Sequence, residues 1–254
     1  MPLGNERFSQ ELRDQSDIFV DVVSGADPGT RVPTCPEWTL RELIRHVGRA
    51  YYWVTAILSS GSTSPTPLDD VPDGDLPERT DQYGDWVRAG ATRMVDAAAA
   101  AGPDAAVWTW AGDGGAGFWL RRITHETVVH RADAAIAVGR DFTVAPDLAV
   151  DGITEQFEIL PAIATYRRTL AQLAGTGQTL HFHATDADDG EWLVRRIPDG
   201  FTWAHGHAKA DVAVRATAAD LLLLLSGRTP ADGPGVEIFG DDALLAHWLE
   251  HTKF

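Results

Sequence analysis

The chain has 254 residues, 44% hydrophobic and 23% charged, enough to bury one large core or two modest ones. Its formal net charge of −16, with lysine only at Lys209 and Lys253, excludes nucleic acid and anionic membrane surfaces as partners. The longest apolar run, the leucines at 221–225, falls far short of the roughly 20 residues that span a bilayer, and the single cysteine, Cys35, excludes an internal disulfide framework and a cysteine-based zinc knuckle.

The first residues show no basic flank leading into an apolar core, so no secretory leader is expected, and a cytoplasmic monomer is. Helical periodicity dominates the first 140 residues or so. A first helix is expected over Phe8–Ser24, followed by a Pro- and Gly-rich loop, "GADPGTRVPTCPEW". Thr39 with Glu42 three residues on spells a capping box for a second helix that runs to about Ser59. A long polar loop at 61–80 follows, of a length that is often functional, and then a third helix over Asp81–Ala101. The fourth helix carries "WLRRITHETVVHRAD" and stops near Gly139. Beyond it, a helical segment over Asp147–Leu173 should kink or break at Leu160–Pro161. "QTLHFHATD", "EWLVRRI" and "ADVAVRA" alternate as strands, Thr217 with Asp220 caps a short helix, and "GVEIFGDDALLAHWLEH" reads as a strand and a helix capped by Asp241. The expected architecture is a four-helix bundle at 1–145 and a smaller α+β domain at 146–254, with the boundary between 140 and 177.

The stretch "THETVVH" nearly matches the zinc-peptidase motif H-E-x-x-H but has one residue too many. At about 100° per residue, Trp119, Ile123, Glu126, His130, Ala134 and Ala137 share one sector, expected to face the bundle core, with Val128 opposite. His125 lies roughly 140° from His130 around the helix and cannot share an ion with it, whereas Glu126 and His130 are i,i+4 neighbours. A buried carboxylate needs compensation. A Glu–His hydrogen bond or a Glu–Arg pair with another helix would supply it, and so would a metal, for which His46 beside the apolar stripe of the second helix is a candidate third ligand. Asp133, one turn beyond His130, is placed either to orient a ligand or to pair at the surface with Arg131 or Arg140.

"VPTCPEWTLRELIRHVGRAYYWV" and "WLRRITHETVVHRADA" together resemble the mycothiol-dependent maleylpyruvate isomerase family. The P-x-C-P-x-W-x-x-x-x-L-x-x-H pattern runs from Pro33 to His46, and R-x-x-x-E-x-x-x-H-R-x-D from Arg122 to Asp133. The resemblance implies a DinB-like four-helix bundle followed by a sterol-carrier-like domain, the latter on the weaker likeness of "GVEIFGDDALLAHWL". It implies His46, Glu126 and His130 as ligands of a divalent metal, zinc by expectation, and mycothiol as cosubstrate. The reaction implied is cis–trans isomerisation by thiol addition and elimination on an electrophilic small molecule, with mycothiol S-transfer on the same site as an alternative.

A metal hydrolase is a further alternative, although the only nearby glutamate is spent as a ligand; so is a non-catalytic metal-binding protein. Cys35 is expected to be structural in its Pro-bracketed loop. An anionic substrate needs arginine, for which Arg79, Arg88, Arg195 and Arg215 are candidates. Trp38, Trp53, Trp110 and Trp119 are expected mainly in the core, with the walls of a cleft as their other use. His181, His183, His205 and His207 pair at i,i+2 on strands, a spacing that can bind metal, but no carboxylate pattern stands beside them.

Overall fold

A computed structural model describes residues 3–68, 71–112 and 114–253. Among these, eight α-helices and a five-stranded sheet divide into two compact units, one spanning Leu3–Phe142 and the other running from Thr143.

The N-terminal unit is built from α1 (Asn5–Val23), α2 (Leu40–Ser60), α3 (Tyr83–Ala101) and α4 (Ala116–Val138). The cap of α2 forms as the sequence implies: the Thr39 N–H donates to Glu42 Oε2 at 2.9 Å, and the box is complete. A 3-10 turn at Thr80–Gln82 leads into α3, and the left-handed Gly139 closes α4. Positions 69 and 70 of the long polar loop lie outside the described residues.

Helix α4 differs from expectation in an instructive way. It has no solvent face of any size: Thr124, His125 and Val128 at its back are as buried as Trp119 and Ile123. Packing against α1 explains this, since the His125 ring meets Phe8 edge-on at 5.7 Å and the Thr124 hydroxyl reaches Phe8 O. Helices α1, α2 and α3 all contact α4. An element packed on several sides has no single apolar stripe, and periodicity is silent about such a helix.

Helices α2 and α3 approach closely where α2 carries Gly48. A Cβ there would lie 2.0 Å from Cζ3 of Trp86, whose ring stacks on Tyr52 and whose Nε1 donates to Asp73 O. The indole is held on both counts and cannot retreat.

In the C-terminal unit, α5 (Pro146–Tyr166) and the single turn α6 (Leu170–Leu173) precede strands β1 (Thr179–Ala184), β2 (Glu191–Ile197), β3 (Gly200–His205) and β4 (Val212–Ala216). Then come α7 (Ala218–Leu225), β5 (Glu237–Gly240) and α8 (Asp242–Thr252), with Thr217 and Asp241 as caps. Helix α5 does not break at Pro161 but continues to Tyr166. Burial of Ile159, Leu160 and Ala164 on either side of the proline holds the turn despite the lost hydrogen bond. The sheet order is β3-β2-β1-β4-β5, with β1 parallel to β4 and the other pairs antiparallel. Leu180, Phe182, Trp192, Val194, Val212 and Val214 form its fully buried face, where Phe157 of α5 meets Phe182 and Trp192. His181, His183, Glu191, Arg195 and Arg215 belong to the opposite face.

Gly48→Ala is expected to destabilise the protein by about 1–3 kcal/mol in denaturant unfolding, as overpacking against a fixed ring does. An unchanged midpoint would show that the α2–α3 approach has slack.

Candidate metal centre and its pocket

His46 on α2 and the Glu126–His130 pair on α4 converge. His46 Nε2 lies 3.1 Å and His130 Nε2 3.2 Å from the same oxygen, Glu126 Oε1. The other oxygen, Oε2, accepts from Arg122 Nη2 at 3.0 Å, so the guanidinium turns the carboxylate with Oε1 towards the imidazoles. Asp133 is fully buried rather than at the surface; it accepts from His130 Nδ1 at 2.8 Å and from the Thr34 hydroxyl at 2.5 Å. Cys35 Sγ sits 3.8 Å from Asp133 Oδ2, so the Pro-bracketed loop places its thiol behind the histidine. A proton on His130 Nδ1 facing Asp133 leaves Nε2 for the site. The indole of Trp38 packs against both imidazoles, with centroids 4.9 Å from His46 and 5.8 Å from His130.

Two of the three groups, His46 and Glu126, line an open pocket of about 480 Å³. Glu126 therefore does not sit in the middle of a dry core face; a third of its side chain is exposed, and the pocket is what exposes it. Trp38, Trp53, Trp110 and Trp119 all line this cavity, more of them than expected. Trp119 serves both uses: it is buried, packs edge-on against Trp53 at 5.2 Å, and donates Nε1 to Trp108 O. The long polar loop contributes Leu68, whose carbonyl accepts from Arg49 Nη2 at 3.0 Å.

The arginines at the pocket are Arg45, Arg49 and Arg122. Arg79 and Arg88 do not line it: Arg79 pairs with Asp81, and Arg88 bridges Asp17 and Asp21. Arg195 and Arg215 belong to the C-terminal unit, where Arg195 reaches Gly177 O and Arg215 faces Glu237. Spacing held a signal for the pocket arginines: Arg45 and Arg49 flank His46 on α2 at i−1 and i+3, and Arg122 precedes Glu126 by one turn.

Burial disfavours charge on Glu126, but hydrogen bonds from His130 and His46 and the nearby Arg122 outweigh it and hold the carboxyl well below its usual range. For His130 burial likewise opposes the charged form, and the hydrogen bonds to Asp133 and Glu126 overcome it, raising the imidazole to about 9. Without a metal, then, the pair is an ion pair.

Comparison with known proteins agrees on both halves of the chain. Residues 9–135 match the family profile described as the mycothiol maleylpyruvate isomerase N-terminal domain, and residues 147–247 match the MDMPI C-terminal domain. Two solved structures, a mycothiol-dependent maleylpyruvate isomerase and a histidine-to-alanine variant of it, are similar in fold, at 18% and 17% identity. Each alignment covers 93% of both chains with a TM-score of 0.53. No curated protein matches the sequence at a significant level.

In chelator-treated protein, His130 has a native-state pKa of about 9 against 6.5 for the ordinary imidazole. Its contribution to stability is therefore complete below about pH 6.5 and is lost as pH rises through about 9. Urea unfolding across that window should show the decline, and Asp133→Asn should flatten it. Equal slopes in the two proteins would mean that Asp133 does not hold the proton.

Proposed function

The chain belongs to the mycothiol maleylpyruvate isomerase family, and from that premise we propose that it is a divalent-metal enzyme in which mycothiol adds to an electrophilic double bond and isomerises it. The observation that carries this reading is the convergence of two imidazoles on one carboxylate oxygen at the end of an aromatic pocket. Separations of 3.1 and 3.2 Å between donor atoms suit a tetrahedral ion, whose neighbouring ligands lie about 3.3 Å apart. His46, Glu126 and His130 would hold that ion, and two imidazoles with a carboxylate favour zinc over magnesium or calcium. Such an ion would lower the pKa of a thiol brought to it, so that thiolate would form near neutral pH.

The remaining work falls to this chain's own residues. Asp133 fixes the tautomer of His130, and Arg122 fixes the rotation of the Glu126 carboxylate. Arg45, Arg49 and Arg122 supply cationic groups for the carboxylates of a dianionic substrate such as maleylpyruvate. The indole walls limit water around the reacting carbon. As the thiolate forms a C–S bond, the π bond opens and negative charge moves towards the substrate's carbonyl oxygen, where arginine stabilises it. Rotation about the resulting single bond, followed by C–S cleavage, restores the double bond in the other geometry and returns the thiolate. No net proton or electron is consumed.

Metal analysis and a mycothiol-dependent isomerisation assay test this directly. His46→Ala should lose about one equivalent of metal and at least about a hundredfold in kcat/KM, as removal of an essential ligand does. Unchanged metal content in the variant would remove the site, and a mycothiol adduct accumulating in place of the isomer would reassign the reaction to S-transfer. Arg45→Ala, whose side chain binds no metal in this scheme, should keep its metal and raise KM for a dianionic substrate about tenfold or more; a fall in kcat alone would refute a role in substrate binding.

A further inference from the structure

We propose that His181, Glu191 and His207, with His183 beside them, form a second metal site, for zinc or a similar divalent transition ion, on the sheet of the C-terminal unit. It shares no residue with the pocket between α2 and α4, and nothing in the isomerase reading requires it.

The site follows from strand geometry. His181 and His183 are two apart on β1 and so project from one face of the sheet. The carboxylate that the sequence lacked beside them comes from the neighbouring strand, because β1–β2 pairing sets Glu191 directly across from His183. His207 arrives from a third direction. His205, in β3, pairs with Trp192 and lies with it on the other face. The chain then turns at Gly206, with φ of +148°, a conformation that favours glycine, and brings His207 round to Glu191. His205 and His207 therefore do not share a face despite their i,i+2 spacing.

His181 Nε2 lies 3.1 Å and His207 Nδ1 2.8 Å from Glu191 Oε2, while His183 Nε2 lies 3.7 Å from Oε1. The donor atoms of His181, Glu191 and His207 all lie within 4.8 Å of one another, and the His181 and His207 rings are edge-on with centroids 5.0 Å apart. Separations of about 3 Å are those of adjacent ligands around a tetrahedral ion with bonds of about 2.0–2.1 Å. Two imidazoles and a carboxylate, with a third imidazole beside them, suit zinc, cobalt, nickel or copper rather than the oxygen-seeking magnesium and calcium. Burial is graded across the cluster: His181 is buried, Glu191 and His183 partly so, and His207 is 73% exposed, so an ion can enter from solvent onto a fixed inner ligand. Three donors share one focus, with His183 beside them at the other carboxylate oxygen, and the role of an ion there is structural, on a sheet face that presents no catalytic group. An ion there ties β1, β2 and the segment after β3 together, and binding to the folded state alone raises stability.

Zinc titration of the full-length, metal-stripped protein is the test, with His46→Ala as the background that silences the α2–α4 pocket. That variant should still bind one equivalent of zinc and melt at a higher temperature with zinc than without, and with Co2+ it should show the strong visible bands of a tetrahedral ion. Adding Glu191→Gln or His207→Ala should weaken the remaining binding at least about tenfold and abolish the shift in melting temperature. His207 is on the surface, so its variant is expected to fold, which circular dichroism checks. If wild type binds a single equivalent that His46→Ala removes and His207→Ala leaves intact, the second site is refuted while the pocket stands. Two equivalents in wild type that persist in Glu191→Gln and His207→Ala refute it equally.

Discussion

A buried carboxylate needs compensation, and the interior of the N-terminal unit is arranged around that requirement. Glu126 and Asp133 both project from α4, and His130 lies between them, bonded to one through Nε2 and to the other through Nδ1. At the far ends of this chain, Thr34 and Cys35 approach Asp133 from the loop before α2, and His46 and Arg122 meet Glu126. Removing His130 would take a partner from both carboxylates at once, and from a buried one such as Asp133 that costs more than the bond itself contributes. The loop before α2 must therefore come close to α4, and α2 must present His46 at one height only. The capping box at Thr39 fixes where α2 begins and so sets that height.

The pocket gains its character from a contrast of charge and surface. The chain as a whole carries −16, yet three arginines line the pocket, and Glu126 pairs with one of them, Arg122. Around them the surface is largely indole. Of the lining indoles, Trp53 and Trp119 pack edge-on at 5.2 Å, and Trp108, outside the lining, meets them at 5.8 and 6.0 Å, a rigid group with few rotatable bonds to freeze. Cations beside apolar planes are a division of surface that can orient a charged ligand without burying its charges unpaired.

The two histidine–carboxylate clusters reach similar distances by different geometries. On α4 the i,i+4 step stacks Glu126 over His130, and a second helix supplies the remaining imidazole. In the sheet the i,i+2 step sets His181 beside His183, while the carboxylate comes from the neighbouring strand and the last imidazole from beyond a glycine turn. The first cluster opens on a pocket, and the second lies on a sheet face with His207 exposed to solvent.

Much of this was legible along the chain, wherever the physics is local. The cap at Thr39, the stop at Gly139, the alternation of β1 and the pairing of Glu126 with His130 depend on residues a few positions apart, and they formed as read. Two dense motifs also brought His46 into the set, 80 residues from its partner. Only the tertiary structure decided the rest. Periodicity reports the angle of a side chain around its own helix, not how many neighbours that helix has, so the burial of Val128 and His125 was invisible. The run of α5 through Pro161 is set by the buried side chains around it, against the local preference of proline. The same limit hid the meeting of Arg45, Arg49 and Arg122 at one cavity, which is formed between helices. It also hid Glu191, which stands opposite His183 because strand register, a hydrogen-bonding choice between separate segments, puts it there.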